Sequence, residues 1–171
     1  MLTIRTERQE DIPHIRIINE QAFGQPAEAN IVDKLRQACP ECISLVAEAD
    51  QRPVGHILFS PAVVENSGRR VEGMALAPMA VLPAHQRQGI GSTLVKRGLD
   101  ILRERNCPYI IVLGHPNYYP RFGFEIASKR GLICQWEGVS DEVFMVLILD
   151  ENAMKSVTGI ARYRDEFNEA M

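Results

Sequence analysis

Apolar and polar positions alternate with a period of two at the start of the chain (Leu2, Ile4), as in a strand, and the period then changes. The stretch TERQEDIPHIRIINEQAF places Ile15, Ile18 and Ala22 on one helical stripe, with Asp11 as the capping oxygen and Pro13 in the first turn. Gly24-Gln25-Pro26 ends that helix. A second amphipathic stretch sets Ala29, Val32, Leu35 and Arg36 at helical spacing and stops near Pro40. Three strands follow, divided by turns at Asp50-Gln51-Arg52-Pro53 and Asn66-Ser67-Gly68. The last of these, the fourth strand of the chain, contains Pro78, which has no N–H for a ladder and marks a bulge or interrupted pairing. From Gly89 to about Arg105, Ile90, Leu94, Gly98, Ile101 and Leu102 share one helical face. PYIIVLG is continuously apolar, as a buried strand is. HPNYYPRFGF reads as a turn with at most one helical turn, EVFMVLIL as a strand, and ARYRDEFNEAM as a short strand or frayed helix. The order β-α-α-β-β-β-α-β-α-β predicts one mixed α/β (α+β) domain over residues 1–171, antiparallel early and joined by helical crossovers later. Residues 150–171 read as its C-terminal tail.

Composition narrows the function classes. The chain has 171 residues, 46% hydrophobic and 24% charged, which is ordinary for a soluble globular protein. A formal charge of −3 with no basic stripe argues against a nucleic-acid partner. Lys96, Arg97, Arg103 and Arg105 read as the wet face of the third helix. The first residues are charged from Arg5 onward, unlike a secretory signal, and MALAPMAVLP is too short and proline-broken to cross a bilayer. The expectation is a cytoplasmic protein with no membrane association. Cysteines stand at 39, 42, 107 and 134, and Cys39-Pro40-Glu41-Cys42 has metal or redox spacing. Neither Cys107 nor Cys134 supplies a second pair, and the motif lies between a helix and a strand. It reads as incidental, with no metal expected.

VLPAHQRQGIGS, residues 81–92, joins the fourth strand to the third helix. A helix start leaves backbone N–H groups without partners and carries partial positive charge. Glycines there let anion oxygens approach the main chain. Residues Gln86 to Ser92 would thus form a cradle of amides, with Arg87 adding charge-assisted contacts. A nucleotide-triphosphate loop needs a lysine after its glycines, and a dinucleotide fingerprint needs glycine where Leu94 stands; both fail. The plain alternative is a glycine-rich entry chosen for close packing of helix on sheet.

Gln86-x-x-Gly89-x-Gly91, after a strand ending Met79-Ala80-Val81 and before a long helix, resembles the acyl-CoA pyrophosphate motif Q/R-x-x-G-x-G/A of the GNAT family of N-acetyltransferases. VLGHPNYYPRFGF, ending in Gly123-Phe124, is similar to that family's fifth strand and the segment after it. Together with ALAPMAVLPAHQRQGIG it is closest to the YhbS-type bacterial branch, and the element order agrees over nearly the whole chain. The resemblance implies a central, mixed, mostly antiparallel sheet, splayed between strands four and five and flanked by helices. It implies acetyl-CoA as the acyl donor, without a metal. Backbone groups of Met79, Ala80 and Val81 would meet the pantetheine arm and polarise the thioester, and Arg87, Gln88, Gly89, Ile90, Gly91 and Ser92 would hold the pyrophosphate. Tyr119, four residues before Gly123, stands where the family has its general acid, with Tyr118 as an adjacent rival.

The implied reaction is direct acetyl transfer, in a ternary complex, to a primary amine of a small molecule or protein. No cysteine stands where a covalent acyl-enzyme would need one. Many family members carry an asparagine several residues before the tyrosine; here Asn117 is too close to Tyr119 to be its equivalent. A lysine-like amine has a pKa of about 10.4, so a base is useful at neutral pH. Glu72, Glu28, His56 and His115 are open candidates for it, each with a plain surface or packing reading beside it. Edge strands of the C-terminal half leave a homodimer open. A non-catalytic acyl-CoA sensor is the alternative from another class.

Overall fold

The covering of each segment decides its pattern, and the pattern decides the element. The structure, a computed structural model, describes residues 1–171. Strands are β1 (Leu2–Thr6), β2 (Ile43–Ala49), β3 (Arg52–Asn66), β4 (Arg69–Val81), β5 (Tyr109–Leu113), β6 (Glu125–Ile126), β7 (Leu132–Cys134), β8 (Phe144–Ile148) and β9 (Gly159–Arg162). Helices are α1 (Ile12–Phe23), α2 (Ala27–Ala38) and α3 (Ile90–Glu104), with short 3₁₀ turns between elements. The strands form one open, mostly antiparallel sheet in the order β1-β2-β3-β4-β5-β8-β6, with β9 also on β3 and β7 on β9. No helix is long and apolar enough to cross a membrane. The chain divides into two units, one of Met1–Phe59, Ala77–Ile101 and Glu166–Met171, the other of Ser60–Leu76 and Leu102–Asp165.

In the first unit, β1 pairs antiparallel with β2 from Leu2 opposite Ala49 to Thr6 opposite Leu45, and β2 pairs antiparallel with β3. Val54 to Phe59 are buried without a break, because both faces of β3 are covered. A Cβ on Gly55 would stand 3.1 Å from Ile90 and Leu94 of α3. His56, on the opposite face, meets Asn19 of α1. Helix α1 buries Ile15, Ile18 and Asn19, and α2 buries Ala29, Ile31, Val32 and Leu35. Each large aliphatic group so buried contributes about 1.5–3 kcal/mol. Asp11 does not cap α1. Its carboxylate takes Arg5 Nη1 at 2.7 Å and Nη2 at 2.9 Å, and the Arg8 backbone N–H at 2.7 Å. The bidentate guanidinium outcompetes the helix amides for its oxygens.

His56 is fully buried in a directed chain of hydrogen bonds. Asn19 Nδ2 donates to the Ile15 carbonyl at 3.0 Å and to His56 Nδ1 at 3.2 Å, which fixes Nδ1 as acceptor. Nε2–H then donates to Ser44 Oγ at 2.9 Å, and Ser44 donates to Glu7 at 2.7 Å. Arg36 closes the chain on Glu7 at 2.7 and 3.0 Å.

In the second unit, β4 runs parallel to β5 over Met74–Leu76 against Ile110–Val112. The ladder stops one residue short of Ala77-Pro78, where the missing proline N–H predicts an interruption. Strand β8 lies antiparallel to β5, from Tyr109 opposite Ile148 to Leu113 opposite Phe144, and carries β6 on its other edge. Strand β9 pairs antiparallel with Val63–Glu65 of β3 and parallel with β7. The segment after β5, expected to hold at most one helical turn, forms a 3₁₀ segment, Tyr119–Phe122, and β6 and β7 are strands that the hydrophobic pattern does not announce. Strands of two or three residues are shorter than the window over which a period can be counted. The last segment is both of the forms expected for it, β9 and then a 3₁₀ stretch, Asp165–Ala170.

Candidate active site

The end of β4, the turn after it and the start of α3 lie within the first unit and contain every residue expected to bind the donor. Met79 is half-buried, while Ala80 and Val81 are buried. The Leu82 N–H donates to the Val54 carbonyl at 2.8 Å, tying the strand end to β3. Gln86 Nε2 donates to the Val81 carbonyl at 2.9 Å. That bond uses one of the two lone pairs of the carbonyl and ties the turn back to the end of β4. Gln86, the first residue of the motif, thereby shapes the turn.

Arg87 has φ 62° and Gly89 φ 82°, with Gln88 between them in the ordinary negative range. Such alternation turns successive amides toward one side and makes a concave anion nest. Gly89 needs its glycine for that φ rather than for packing, because a Cβ there would meet nothing within 4 Å. The Thr93 N–H makes the first helical bond, to the Gly89 carbonyl at 3.0 Å. The amides of Gly89, Ile90, Gly91 and Ser92 precede it and have no acceptor within the helix. Gln88, Gly89 and Arg87 are exposed, no carboxylate pairs with Arg87, and the Ile90 side chain anchors the helix start against β3. Open space at Gly89, beside amides at the positive end of a fifteen-residue helix, suits a diphosphate.

Tyr119 belongs to the second unit. It is 7% exposed and opens the 3₁₀ segment after β5, which Gly123 closes by donating to the Pro120 carbonyl at 3.0 Å. Burial pushes its phenol well above the usual tyrosine range, with Tyr118 adding to the effect, so it holds its proton at neutral pH. Tyr118 meets it edge-on, with centroids 5.1 Å apart.

The candidates for the base separate. Burial lowers the His56 pKa to about 4, and both ring nitrogens are engaged, so it is a packed, neutral histidine. Glu28 accepts from Gln25 at 2.8 Å. The Glu72 side chain is 77% exposed and lies 3.7 Å from Arg70. His115 Nδ1 accepts the Asn117 N–H at 3.2 Å, inside the compressed turn. All four cysteines are free thiols, and no group of three or more His, Cys, Asp or Glu side chains is arranged to hold a metal. Sequence reasoning missed Gly114, which lies against the Tyr119 ring, and Arg121, which stacks on Tyr118 at 4.5 Å. A glycine at a strand end five residues before a tyrosine was the available signal for the first.

The profile of the Acetyltransferase (GNAT) family matches residues 12–124. The protein named uncharacterized N-acetyltransferase YhbS of Escherichia coli (strain K12) is 36% identical over 168 residues, covering 98% of this chain and 99% of that protein. A crystal structure of YhbS from Escherichia coli in complex with CoA superposes with a TM-score of 0.90 at 35% identity, over 98% of this chain and 92% of that one. A GNAT family acetyltransferase from Brucella melitensis, in complex with acetyl-CoA, does so with a TM-score of 0.79 at 34% identity, over 98% of each chain.

Proposed function

The chain belongs to the GNAT acetyltransferase family, and on that premise we propose that it transfers an acetyl group from acetyl-CoA to a primary amine in a ternary complex. One observation carries the proposal: the turn from Arg87 to Gly89, exposed and with two positive φ values, which brings backbone amides to the start of α3. The residues present fit the donor, since the cradle offers only amides and a cation, with no carboxylate beside it. CoA and acetyl-CoA in the two solved relatives support the same reading.

Acetyl-CoA supplies the activated acyl group; the amine nitrogen bonds to its carbonyl carbon as the C–S bond breaks. Amides of residues 87–92 hold the diphosphate, and Arg87 adds a charged contact. Main-chain groups of Met79, Ala80 and Val81 bind the pantetheine arm and polarise the thioester. Tyr119, protonated at neutral pH, gives its proton to the departing sulfur and regains one from solvent. The amine's own proton leaves through water. The acceptor is an amine-bearing small molecule or protein.

Thiol release from acetyl-CoA with a panel of amines, read beside CoA affinity, tests this. Tyr119→Phe is expected to slow release by about 10²- to 10⁴-fold, the span of a general acid, with CoA affinity unchanged. Gly91→Asp, which sets a negative side chain against the diphosphate, is expected to weaken CoA binding by at least about tenfold, the weight of one charge-assisted contact. Tight CoA binding with no thiol released for any amine would make the chain a sensor rather than an enzyme. Unchanged affinity in Gly91→Asp would remove the cradle from the site.

A further inference from the structure

We propose that Gly114 and Arg121 are positioning residues for acetyl transfer, Gly114 by seating the Tyr119 ring on bare backbone and Arg121 by clamping Tyr118 against it. The proposal rests on the role given to Tyr119 above. Gly114 follows the last residue of β5, and its N–H donates to the Val143 carbonyl at 2.9 Å, so its backbone is pinned to the sheet. The Tyr119 ring lies directly on it. A Cβ at this position would stand 2.2 Å from Cε2, 2.7 Å from Cδ2 and 3.2 Å from Cζ of that ring. The first two distances are shorter than any real carbon contact, so only glycine leaves the ring where it is.

Other sides of the ring are closed by aromatic neighbours. Tyr118 stands perpendicular at 5.1 Å between centroids, Phe124 at 5.7 Å and Phe122 at 6.4 Å. Tyr118 is itself held by a residue three positions on. The guanidinium of Arg121 lies 4.5 Å from its ring centroid, and Nε donates to the Tyr118 carbonyl at 3.0 Å. A planar cation that both stacks on a ring and bonds its main chain fixes that ring better than either contact alone.

The way Tyr119 is held sets it apart from a tyrosine built for stability. Tyr109, equally a buried ring, donates its hydroxyl to the Val71 carbonyl at 2.9 Å. Tyr119 is instead held through its ring, by the Gly114 backbone beneath it and the aromatic rings around it. A buried tyrosine ordinarily takes a partner for its oxygen. Here the grip is on the ring. For a proton to pass from Oη to sulfur as the C–S bond breaks, Oη must lie at hydrogen-bond distance from it. The seat and the clamp fix the place of the ring within its own unit.

Steady-state kcat and KM for acetyl-CoA, CoA affinity and urea stability, each measured in the native and the Tyr119→Phe backgrounds, test the proposal. Gly114→Ala is expected to lower kcat by about 10- to 100-fold, the cost of a displacement near 1 Å, with CoA affinity unchanged. Arg121→Gln, an exposed change that leaves the core intact, is expected to lower kcat by about two- to fivefold, as the loss of an exposed cation–π contact does. Arg121→Lys, which keeps a cation over the ring, is expected to retain most of the rate. In the Tyr119→Phe background the rate losses should disappear, while the stability loss of Gly114→Ala persists because the phenylalanine ring meets the same Cβ. Losses that instead multiply with that of Tyr119→Phe would make both residues merely structural and overturn the proposal. If Gly114→Ala does not fold, the Arg121 pair decides by the same criterion. A Tyr119→Phe protein with native kcat would refute the acid itself, a separate failure.

Discussion

At the scale of single residues, His56 gives the clearest link between burial and a measurable property. Unfolded, it takes up a proton with a midpoint near 6.5; folded, burial lowers that to about 4, with Arg36 also lowering it and Glu7 opposing. Between those values the unfolded chain binds more protons than the folded one. The stabilisation from keeping His56 neutral is therefore complete above about pH 6.5 and drains away as pH falls toward 4, with a ceiling on the order of 3 kcal/mol. Asp11 and Glu7 are shifted the other way. The Arg5 bonds hold Asp11 below its ordinary 3.8, and the Arg36 and Ser44 bonds outweigh burial to hold Glu7 below its ordinary 4.5. Their contributions vanish only in more acidic solution, so the span from about 4.5 to 6.5 belongs to His56. Urea unfolding across this span should show stability falling with pH in the native protein and a flat profile in His56→Gln. An equal slope in both would assign the effect to another group.

At the scale of elements, the close approach of α3 to β3 sets where the turn before α3 sits. A Cβ on Gly98 would lie 2.2 Å from Cε2 and 2.4 Å from Cζ of Phe59, a ring with no exposed surface. Gly98→Ala gains about 1 kcal/mol of helix propensity but overpacks the contact at a cost of about 1–3 kcal/mol. The expected outcome is a net loss of stability in urea and weaker CoA binding, because α3 carries the turn at its start; a variant as stable as the native protein would contradict the contact. The face on which Gly98 lies was legible in the sequence, since a fifteen-residue amphipathic helix repeats its period several times. The shape of the turn before α3 was legible for a related reason: its residues are consecutive, so spacing and local geometry coincide. What lay outside such continuity was not. Asp11 resembles a helix cap until Arg5, six positions earlier, is brought to it across β1. His56 resembles a possible base until Asn19 and Ser44 enclose it from two other elements. The seat at Gly114 depends on the course of the chain through a turn that no hydrophobic pattern describes.

At the scale of the whole molecule, charge and ligand oppose one another. The chain has a formal charge of −3, so its overall field repels the multiply charged anion that its donor turn is proposed to hold. Binding must then come from short-range amides and Arg87, and its free energy must appear as added stability of the folded state, because the unfolded chain has no cradle. At a CoA concentration one hundred times its dissociation constant the gain is about 2.7 kcal/mol. For a chain of 171 residues that amounts to a rise in melting temperature of roughly 5–10 °C. Thermal melts with and without CoA should show this rise in the native protein and in Tyr119→Phe, because the hydroxyl removed is proposed to act on the sulfur rather than in affinity. Gly91→Asp should show little of it at the same CoA concentration. A rise of the same size in Gly91→Asp would mean that the ligand is held somewhere other than the turn before α3, and no rise in the native protein would mean that CoA is not its ligand.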